Sequence, residues 1–452
     1  MAVGFGSFMA TLDFGIINLA LPAFGRAFER GPDAVVWLSL AASLIVAGLT
    51  LTAGRSGDLY GRRRIYLAGW LLFTLALVPA SFADSLEAVI GWRLVQAVGL
   101  SLAIANANAI VTDVFPAPEW GRALGTVTAI VGAGLLSGPL LGGFILDALD
   151  WRAIFYLRIP IGIAALIVAL AVVHESEPVD GQGLDLAGAV TLFTALGSLV
   201  LLVNRAQAWG WTSPIILGLG ALGVGSLLLF VRIEERTPSP IVAPALLRQR
   251  GFVVPIVSLA LIFVAQASVT FLMPFYLIEV RALPPVQTGL ILAMVPLMLL
   301  LFAPLSGQIF DRTGWRWQAT LGVSTVGLGL LSLACLGPAT PVYGVLLRLA
   351  VVGLGLAIFM PGNASSIMGT VPREMLGTAS ASVATSRNIG TAIGLAIISA
   401  VLVAAAGGAG PDVASAGLPP ERMLVGIRAA FGTAAGLSLL AVIASLLRAS
   451  AR

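Results

Sequence analysis

The sequence predicts an all-α membrane protein with about fourteen transmembrane helices, and three observations support this prediction. The chain is 58% hydrophobic and only 10% charged over its 452 residues, whereas a soluble domain carries about 25% charged residues. Apolar runs of roughly 20 residues, the length that crosses a bilayer as a helix, recur along the chain. A short charged segment occurs twice, at 54–64 and in weaker form at 306–316, which indicates an internal duplication.

The spans are placed in order between charged, proline-containing or glycine-rich breaks. They lie near 3–24, 35–54, 65–83, 88–111, 122–146, 153–173, 184–203, 214–232, 252–277, 286–308, 317–337, 341–364, 376–403 and 425–447. Each copy of the charged segment falls between the second and third spans of a block of six, so the arrangement is six plus two plus six. This arrangement predicts an N-terminal six-helix bundle at 1–173, an inserted helix pair with a cytoplasmic linker at 174–250, and a C-terminal six-helix bundle at 251–452.

The arginines are distributed unevenly between the loops. Most of them, including Arg62, Arg63 and Arg64, fall in alternate loops on the side of the termini, whereas fewer, with Arg152 and Arg158 near a helix end, fall on the other side. The positive-inside rule then predicts a multi-pass protein of a bacterial plasma (inner) membrane with both termini in the cytoplasm. The net charge of +4 reflects anchoring at the lipid bilayer and does not point to a nucleic-acid partner. We expect no cleavable signal peptide and a natural start slightly upstream.

The first charged segment has the composition of a tight turn. Gly54 and Gly61 allow a close backbone approach, and the arginine cluster that begins at Arg62 would lie at anionic headgroups. Asp58 could face a helix N-terminus in the opposite half, where negative charge is favoured, and so latch the cytoplasmic side. A plain positive-inside turn is the alternative, but the return of the pattern around Asp311 favours the latch.

Two charged residues fall inside the apolar runs. Asp13 lies in the middle of the first span, where a carboxylate costs about 2.5–3.5 kcal/mol on insertion scales. Burial disfavours the charged form of a carboxyl group, so Asp13 could exchange a proton near neutral pH. Arg93, in the fourth span, needs a carboxylate or helix carbonyls as a partner and could tune proton release if it lay beside Asp13. Pairing that only holds helices together is the alternative for both residues.

Further polar residues could line a central cavity. The candidates are Asn18, Gln96, Asn108, Gln266, Asn363 and Arg387. Gln96 is three residues from Arg93 and shares its helix face, whereas Asn18 could serve in packing alone. No acidic residue occurs within helices 9 to 13 of the prediction, which argues against a dicationic substrate.

A glycine-rich run in the fifth span comprises Gly134, Gly138, Pro139, Gly142 and Gly143. Gly134 and Gly138 share one helix face at a spacing that permits close packing. Pro139 removes a backbone donor and would kink the helix. A tightly packed, bendable helix would suit a gate between the two halves, and ordinary helix packing is the alternative.

These motifs together resemble those of the major facilitator superfamily. The first charged segment is similar to its motif A, and the segment at 306–316 is similar to the degenerate second copy. Asp13 and the residues after it resemble the first-helix motif of drug:proton antiporters, Arg93 and its neighbours resemble motif B, and the glycine-rich run resembles motif C, the antiporter motif. The segment after it, with Trp151, Arg152, Phe155, Pro160 and Gly162, resembles that of the fourteen-helix drug antiporters. The resemblance implies the superfamily's fold, a part for Arg93 in proton coupling, and a supporting part for Asp113 and Arg122 in the latch.

The predicted function is proton-coupled antiport that exports hydrophobic or amphipathic small molecules by alternating access. A proton-coupled nutrient symporter or facilitator is the first alternative, and a non-transporting membrane sensor is the second. The sequence contains no catalytic constellation and no phosphate-binding loop, so we predict no enzyme activity, no cofactor and no metal. The single cysteine, Cys335, excludes a disulfide framework. We expect a monomer, because the duplication supplies a complete pathway in one chain.

Overall fold

The computed structural model describes residues 2–30, 32–175, 183–238, 240–242, 244–313, 315–406 and 419–446. This part of the chain is built from long helices joined by short turns and short helical segments. The long helices are α1 (Ala2–Ala27), α2 (Trp37–Tyr60), α3 (Arg62–Ser81), α4 (Leu86–Val114), α5 (Trp120–Ala148), α6 (Arg158–Val172), α7 (Leu186–Trp209), α8 (Pro214–Glu234), α9 (Arg250–Phe275), α10 (Met294–Thr313), α11 (Trp315–Ala334), α12 (Val342–Met368), α13 (Leu376–Ala405) and α14 (Pro420–Leu446).

The all-helical membrane fold predicted from the sequence is confirmed. Thirteen helices of the described chain are long and apolar enough to cross a membrane. The remaining predicted span corresponds to α11, whose apolar part, Gln318–Ala334, is shorter. Residues 176–182, which join the first bundle to the inserted pair, lie outside the described residues.

The charged segments extend the helices, so the prediction of a loop at 54–64 is wrong. Helix α2 continues through Asp58 to Tyr60 and ends at Gly61, whose positive φ of 98° lets α3 begin at the next residue. Residues 306–313 likewise form the end of α10. The helices extend beyond their apolar runs because the charged side chains have partners inside the protein, as described below.

Six helices at each end of the chain pack around separate apolar cores. The core of α1–α6 contains an aromatic group in which the rings of Phe24 and Trp151 lie 5.2 Å apart. The core of α9–α14 contains the fully buried Phe359 and Phe431. Because lipid does not drive helices together, small residues allow the contacts to be close. Helices α3 and α4, for example, cross where Gly69 and Gly99 face each other.

The two bundles meet through two equivalent helix pairs. Helix α2 packs against α13, and α5 packs against α10. Hydrogen bonds between the bundles are found at the end of the molecule that holds Asp58 and Asp311. We call it the Asp58 end.

The inserted helices α7 and α8 pack against each other, and α7 also lies against α2. The guanidinium group of Arg205 on α7 stacks over the rings of Trp37 and Trp209, at 4.8 and 5.7 Å from their centroids. At the end of α8, the Glu234 carboxylate accepts hydrogen bonds of 3.1 Å from the backbone nitrogens of Ile241 and Val242. The Arg205–Trp37 contact fastens the pair to the start of α2, and the Glu234 contacts hold the start of the linker against α8.

Candidate functional site

A buried cluster of opposite charges joins three helices of the N-terminal bundle. Asp13, in the middle of α1, is 2% exposed. Arg93 of α4 donates from Nη1 to both carboxylate oxygens of Asp13, at 2.8 and 2.9 Å. Arg158, the first residue of α6, donates from Nη1 to Oδ1 of the same carboxylate. One carboxylate therefore ties α1 to both α4 and α6.

This cluster carries more positive than negative charge. The two guanidinium groups that face Asp13 are almost wholly buried, and Arg158 is 1% exposed. Nε of Arg93 and Nη2 of Arg158 have no hydrogen-bond partner within the described chain. Buried charges are costly unless they are paired. Protonation of Asp13 would therefore leave two like charges close together without a counter-ion.

Arg158 is a site residue that the sequence alone does not single out. It lies near the start of the sixth predicted span, where it resembles Arg152. In the structure Arg152 stacks on the Trp151 ring at 4.5 Å and is partly exposed, whereas Arg158 is buried and its Nε donates to the Ile154 carbonyl oxygen at 2.7 Å. Its position inside the apolar run 153–173 is the signal that could have identified it.

Gln96 belongs to the charge cluster and does not line an open cavity in this structure. Its Oε1 accepts a hydrogen bond of 2.8 Å from Nη1 of Arg93, and its Nε2 donates to the Ala76 carbonyl oxygen of α3 at 3.4 Å. The side chain is fully buried. Gln96 therefore orients the arginine that holds Asp13.

The other cavity candidates are distributed over both bundles, and among the described residues no hydrogen bond joins them to one another. Asn18 accepts a 2.8 Å hydrogen bond from Ser39 Oγ, which links α1 to α2. Gln266 reaches only Thr270 of its own helix, at 3.5 Å. The amide of Asn363 is buried without a partner in the described chain.

Asn108 and Arg387 lie on helices that meet between the bundles. The backbone nitrogen of Asn108, on α4, donates to Ser380 Oγ of α13 at 3.2 Å. Arg387 lies two turns further along α13, and the residue as a whole is half-buried. These two residues come from opposite bundles, and both lie near the contact between α4 and α13, which we call the seam between the bundles.

Asp58 lies against the N-terminus of α13, in the opposite bundle. Its carboxylate accepts hydrogen bonds from the backbone nitrogens of Gly377 and Thr378, at 2.7 and 2.8 Å. Arg62 donates to the same carboxylate from Nε and Nη2, at 3.1 and 2.9 Å. Gly54 makes room for this contact, because a Cβ atom there would lie 2.5 Å from the Gly377 carbonyl oxygen. A helix N-terminus and a carboxylate attract each other, so this contact draws the bundles together.

Asp311 makes the equivalent contact in the second repeat. Its carboxylate oxygens accept from the backbone nitrogens of Gly121 and Arg122, at the N-terminus of α5, at 2.9 and 3.1 Å. Gly307 corresponds to Gly54, since a Cβ atom on it would lie 2.5 Å from the carbonyl carbon of Gly121. Each bundle therefore supplies one aspartate to a helix N-terminus of the other bundle.

Arg62 connects the Asp58 contact to two further groups. It donates from Nη1 to Asp113 Oδ2 at 2.6 Å and from Nη2 to the Arg373 carbonyl oxygen. The prediction that Arg62 lies at lipid headgroups is wrong, because these protein partners bury it. Among the described residues Asp113 forms its salt bridge with Arg62, and none joins it to Arg122, which contributes its backbone nitrogen to Asp311.

The glycines of the fifth span face α1, within their own bundle. A Cβ atom on Gly134 would lie 2.8 Å from the Phe8 carbonyl oxygen, and one on Gly138 would lie 2.9 Å from the Gly15 Cα atom. Gly142 and Gly143 follow along the same helix toward Leu19 of α1. Pro139 is part of α5, and its side chain lies outside the described residues.

A different set of glycines brings α5 close to the other bundle. A Cβ atom on Gly125 would lie 2.5 Å from the Ala303 carbonyl oxygen of α10, and one on Gly132 would lie 2.7 Å from the Pro296 carbonyl oxygen. The direct contact between the halves thus uses Gly121, Gly125 and Gly132 and not the predicted run. Gly134 and Gly138 lie roughly 100° or more away from these three glycines around α5, so they face α1.

Two six-helix bundles of long apolar helices that meet at one end, with a buried charge cluster inside one of them, have the architecture of a multi-pass membrane transporter. A family model described as Major Facilitator Superfamily matches residues 3–395. The chain belongs to the major facilitator superfamily, whose members are transporters and not enzymes.

Named proteins that resemble this chain include a transporter and a multidrug resistance protein. It is 34% identical to "Riboflavin transporter RibZ" of Clostridioides difficile (strain 630), over 87% of this chain and 85% of the relative. It is 34% identical to "Multidrug resistance protein Stp" of Mycobacterium tuberculosis (strain CDC 1551 / Oshkosh), over 89% of this chain and 75% of the relative. The crystal structure of the human organic anion transporter MFSD10 (TETRAN) matches with a TM-score of 0.68 over 98% of both chains. At 16% sequence identity that match shows the fold alone.

Proposed function

We propose that this protein is a proton-coupled antiporter of the fourteen-helix drug:proton type, which exports hydrophobic or amphipathic small molecules from a bacterial cell. The buried Asp13 carboxylate carries the proposal. Ionisable residues at membrane depth are rare and mark proton or substrate pathways. The relative named as a multidrug resistance protein supports the substrate class. The arginine bias supports a plasma-membrane location with both termini in the cytoplasm.

The charge cluster suggests how a proton would change the conformation. Proton uptake by Asp13 from outside neutralises the only negative charge between Arg93 and Arg158, so the two guanidinium groups repel each other. Helix α1 then separates from α4 and α6, which favours substrate release. Proton loss to the inside restores the cluster. Exchange requires only that proton and substrate bind the two facing states with different affinities.

The contacts of Asp58 and Asp311 would act as the latch. In this proposal the Asp58 end is cytoplasmic and stays closed while the transporter faces outward. Opening it releases both carboxylates from helix N-termini, where they are stabilised. The cost of release sets how often the protein faces inward, and substrate binding from the cytoplasm offsets that cost.

Proton movement in vesicles tests the proposal. Growth protection in a strain without its own efflux pumps first identifies transported compounds. Purified protein is then placed in vesicles that contain the pH dye pyranine, and one such compound is added outside. Antiport exchanges entering substrate for leaving protons and makes the interior more alkaline. Symport makes it more acidic, and a non-transporting sensor leaves the dye signal unchanged.

The variant Asp13→Asn should abolish the alkaline response, because the amide cannot exchange a proton. Asp84→Asn is the matched control, since the Asp84 side chain is 97% exposed. If the interior became as alkaline with Asp13→Asn as with the wild-type protein, Asp13 would not be the proton site.

Uptake of a vitamin-like nutrient is the second candidate function. The relative named as a riboflavin transporter favours it. The same vesicles distinguish the two functions, because proton-coupled uptake of riboflavin would acidify the interior when riboflavin is added outside.

A further inference from the structure

We propose that the substrate site takes an organic anion, an amphipathic molecule with a carboxylate, sulfonate or phosphate group, and that Arg387 of α13 binds this group. The inference rests on the proposed transport function and names its substrate class. Three observations carry it: the direction in which Arg387 points, its lack of a partner, and the placement of the acidic residues along the helices.

The faces of α13 place Arg387 at the seam between the bundles. The helix contacts α2 of the N-terminal bundle through Gly377, α4 through Ser380, and α9 of its own bundle through Gly390. At 3.6 residues per turn, Arg387 lies about 20° from Ser380 around the helix and about 60° from Gly390. Its side chain is therefore directed to the space between α4 and α9.

Arg387 also lies deep in the membrane. It is eleven residues from the start of α13, which is roughly 16 Å at 1.5 Å per residue, about half the thickness of a hydrocarbon core. A guanidinium group at that depth is costly unless it faces water or an anion. The residue is half-buried, so the surrounding helices do not seal it completely.

No protein group neutralises Arg387 within the described chain. No hydrogen bond from its guanidinium group and no ion pair is formed among the described residues. Arg93 and Arg158 of the N-terminal bundle differ in this respect, because they share Asp13. An anion from solution would supply the missing partner, and the planar fork of arginine suits carboxylate, sulfonate and phosphate groups.

The acidic residues are placed so that a cation would find no equivalent site. Asp13 is the one acid in the interior of the long helices, and its two arginine partners already occupy it. All other acids of these helices lie within the first or last turn; they are Asp58, Glu87, Asp113, Asp147, Glu234, Asp311 and Glu421. The interior of the transporter is therefore positive, which raises the local concentration of anions and disfavours cations.

Binding of three matched dansyl amides tests the proposal. The probes share a five-methylene chain that ends in a carboxylate, a methyl group or an ammonium group. Their fluorescence is titrated with the full-length protein in lipid nanodiscs, without a pH gradient. We expect the carboxylate probe to bind roughly tenfold more tightly than the methyl probe, and the ammonium probe to bind more weakly than either.

Variants at Arg387 then identify the group responsible. Arg387→Gln should bind the carboxylate and methyl probes equally. Its affinity for the methyl probe should equal that of the wild-type protein. Arg387→Met, a second neutral variant, gives the same readout if the glutamine variant does not fold. Arg387→Lys should keep part of the preference, because it keeps the charge without the fork. Arg422→Gln is the matched control, since the exposed Arg422 lies at the start of α14 and should not affect the preference.

Several results would overturn the proposal. These are no saturable binding of the carboxylate probe, tighter binding of the ammonium probe, and a carboxylate preference that survives in Arg387→Gln or Arg387→Met. None of them depends on a proton gradient. A failure of the anion site is therefore distinguishable from a failure of antiport, which the pyranine response of Asp13→Asn tests separately.

Discussion

Asp13 has two arginine partners, and this imbalance governs its behaviour. A single buried pair would be electrically neutral and would serve as a structural tie. Here one carboxylate holds Arg93 and Arg158 together and leaves a surplus positive charge in the bundle. The same imbalance makes the effect of any change at the cluster depend on the net charge that remains.

Double substitution in the cluster should recover stability that a single substitution loses. Asp13→Asn leaves two buried guanidinium groups without a counter-ion, and breaking a buried pair in this way costs about 3–5 kcal/mol. Arg158→Gln alone leaves a balanced Asp13–Arg93 pair and should cost less. The double variant removes one of the two unpaired charges, so its thermal unfolding midpoint in detergent should lie above that of Asp13→Asn. If the loss of stability in the double variant equalled the sum of the losses in the two single variants, the surplus charge would have no energetic consequence.

At the scale of helices, the two repeats place one aspartate each at a helix N-terminus of the other bundle. The contact of α2 with α13 and that of α10 with α5 use the same parts: an aspartate, two backbone nitrogens and a facing glycine pair. The first contact is the more extensive, because Arg62 adds hydrogen bonds to Asp58, Asp113 and a backbone carbonyl. We therefore expect Asp58 to contribute more than Asp311 to closure.

Removing the charge of Asp58 should open the Asp58 end. Asp58→Asn weakens hydrogen bonds to two backbone nitrogens and to Arg62, and hydrogen bonds to charged groups contribute about 1.5–3 kcal/mol each. A cysteine introduced at the buried Ala384 of α13, in a Cys335→Ser background, reports opening through maleimide labelling. We expect labelling to accelerate by roughly tenfold or more.

Glu87→Gln provides the control for this experiment. Glu87 pairs with Arg30 on the surface, with side chains 67% and 54% exposed, and such pairs contribute little. Labelling that is equally fast in Asp58→Asn and in the parent protein would exclude a latch at Asp58.

At the scale of the whole molecule, the structure is closed at the Asp58 end. The hydrogen bonds between Asn108 and Ser380, between Asp58 and α13, and between Asp311 and α5 all lie there. Alternating access requires that the bundles part at this end during each cycle.

A reversible cross-link between the bundles should therefore stop transport. In the Cys335→Ser background, Asn108→Cys together with Ser380→Cys introduces thiols on two residues that are in contact, since the Asn108 backbone nitrogen lies 3.2 Å from Ser380 Oγ. Oxidation should link α4 to α13 and abolish substrate flux in vesicles, and a reducing agent should restore it. Each single-cysteine variant serves as the control. Full transport by completely cross-linked protein would mean that this end does not open.

Composition and apolar periodicity are local properties, so they predicted the helical membrane fold and most spans. They failed at the ends of α2 and α10, where the helices continue through charged residues. An apolar count ends a span at Gly54, whereas partners on the opposite bundle let the helix continue to Tyr60. Arg158 was missed for the same reason, because a residue near a predicted helix end looks like a loop arginine until its partner is known.

The sequence by itself determined that this protein is a duplicated, all-helical membrane protein of the major facilitator type, since hydrophobicity, glycine placement and the repeated charged segment are all readable along the chain. Tertiary structure alone decided which charges are partnered. Asp13 meets residues 80 and 145 positions away, and Asp58 meets a helix 319 positions away. Pairing over such separations depends on how the helices pack against one another. Local patterns along the sequence therefore do not predict which residues will pair.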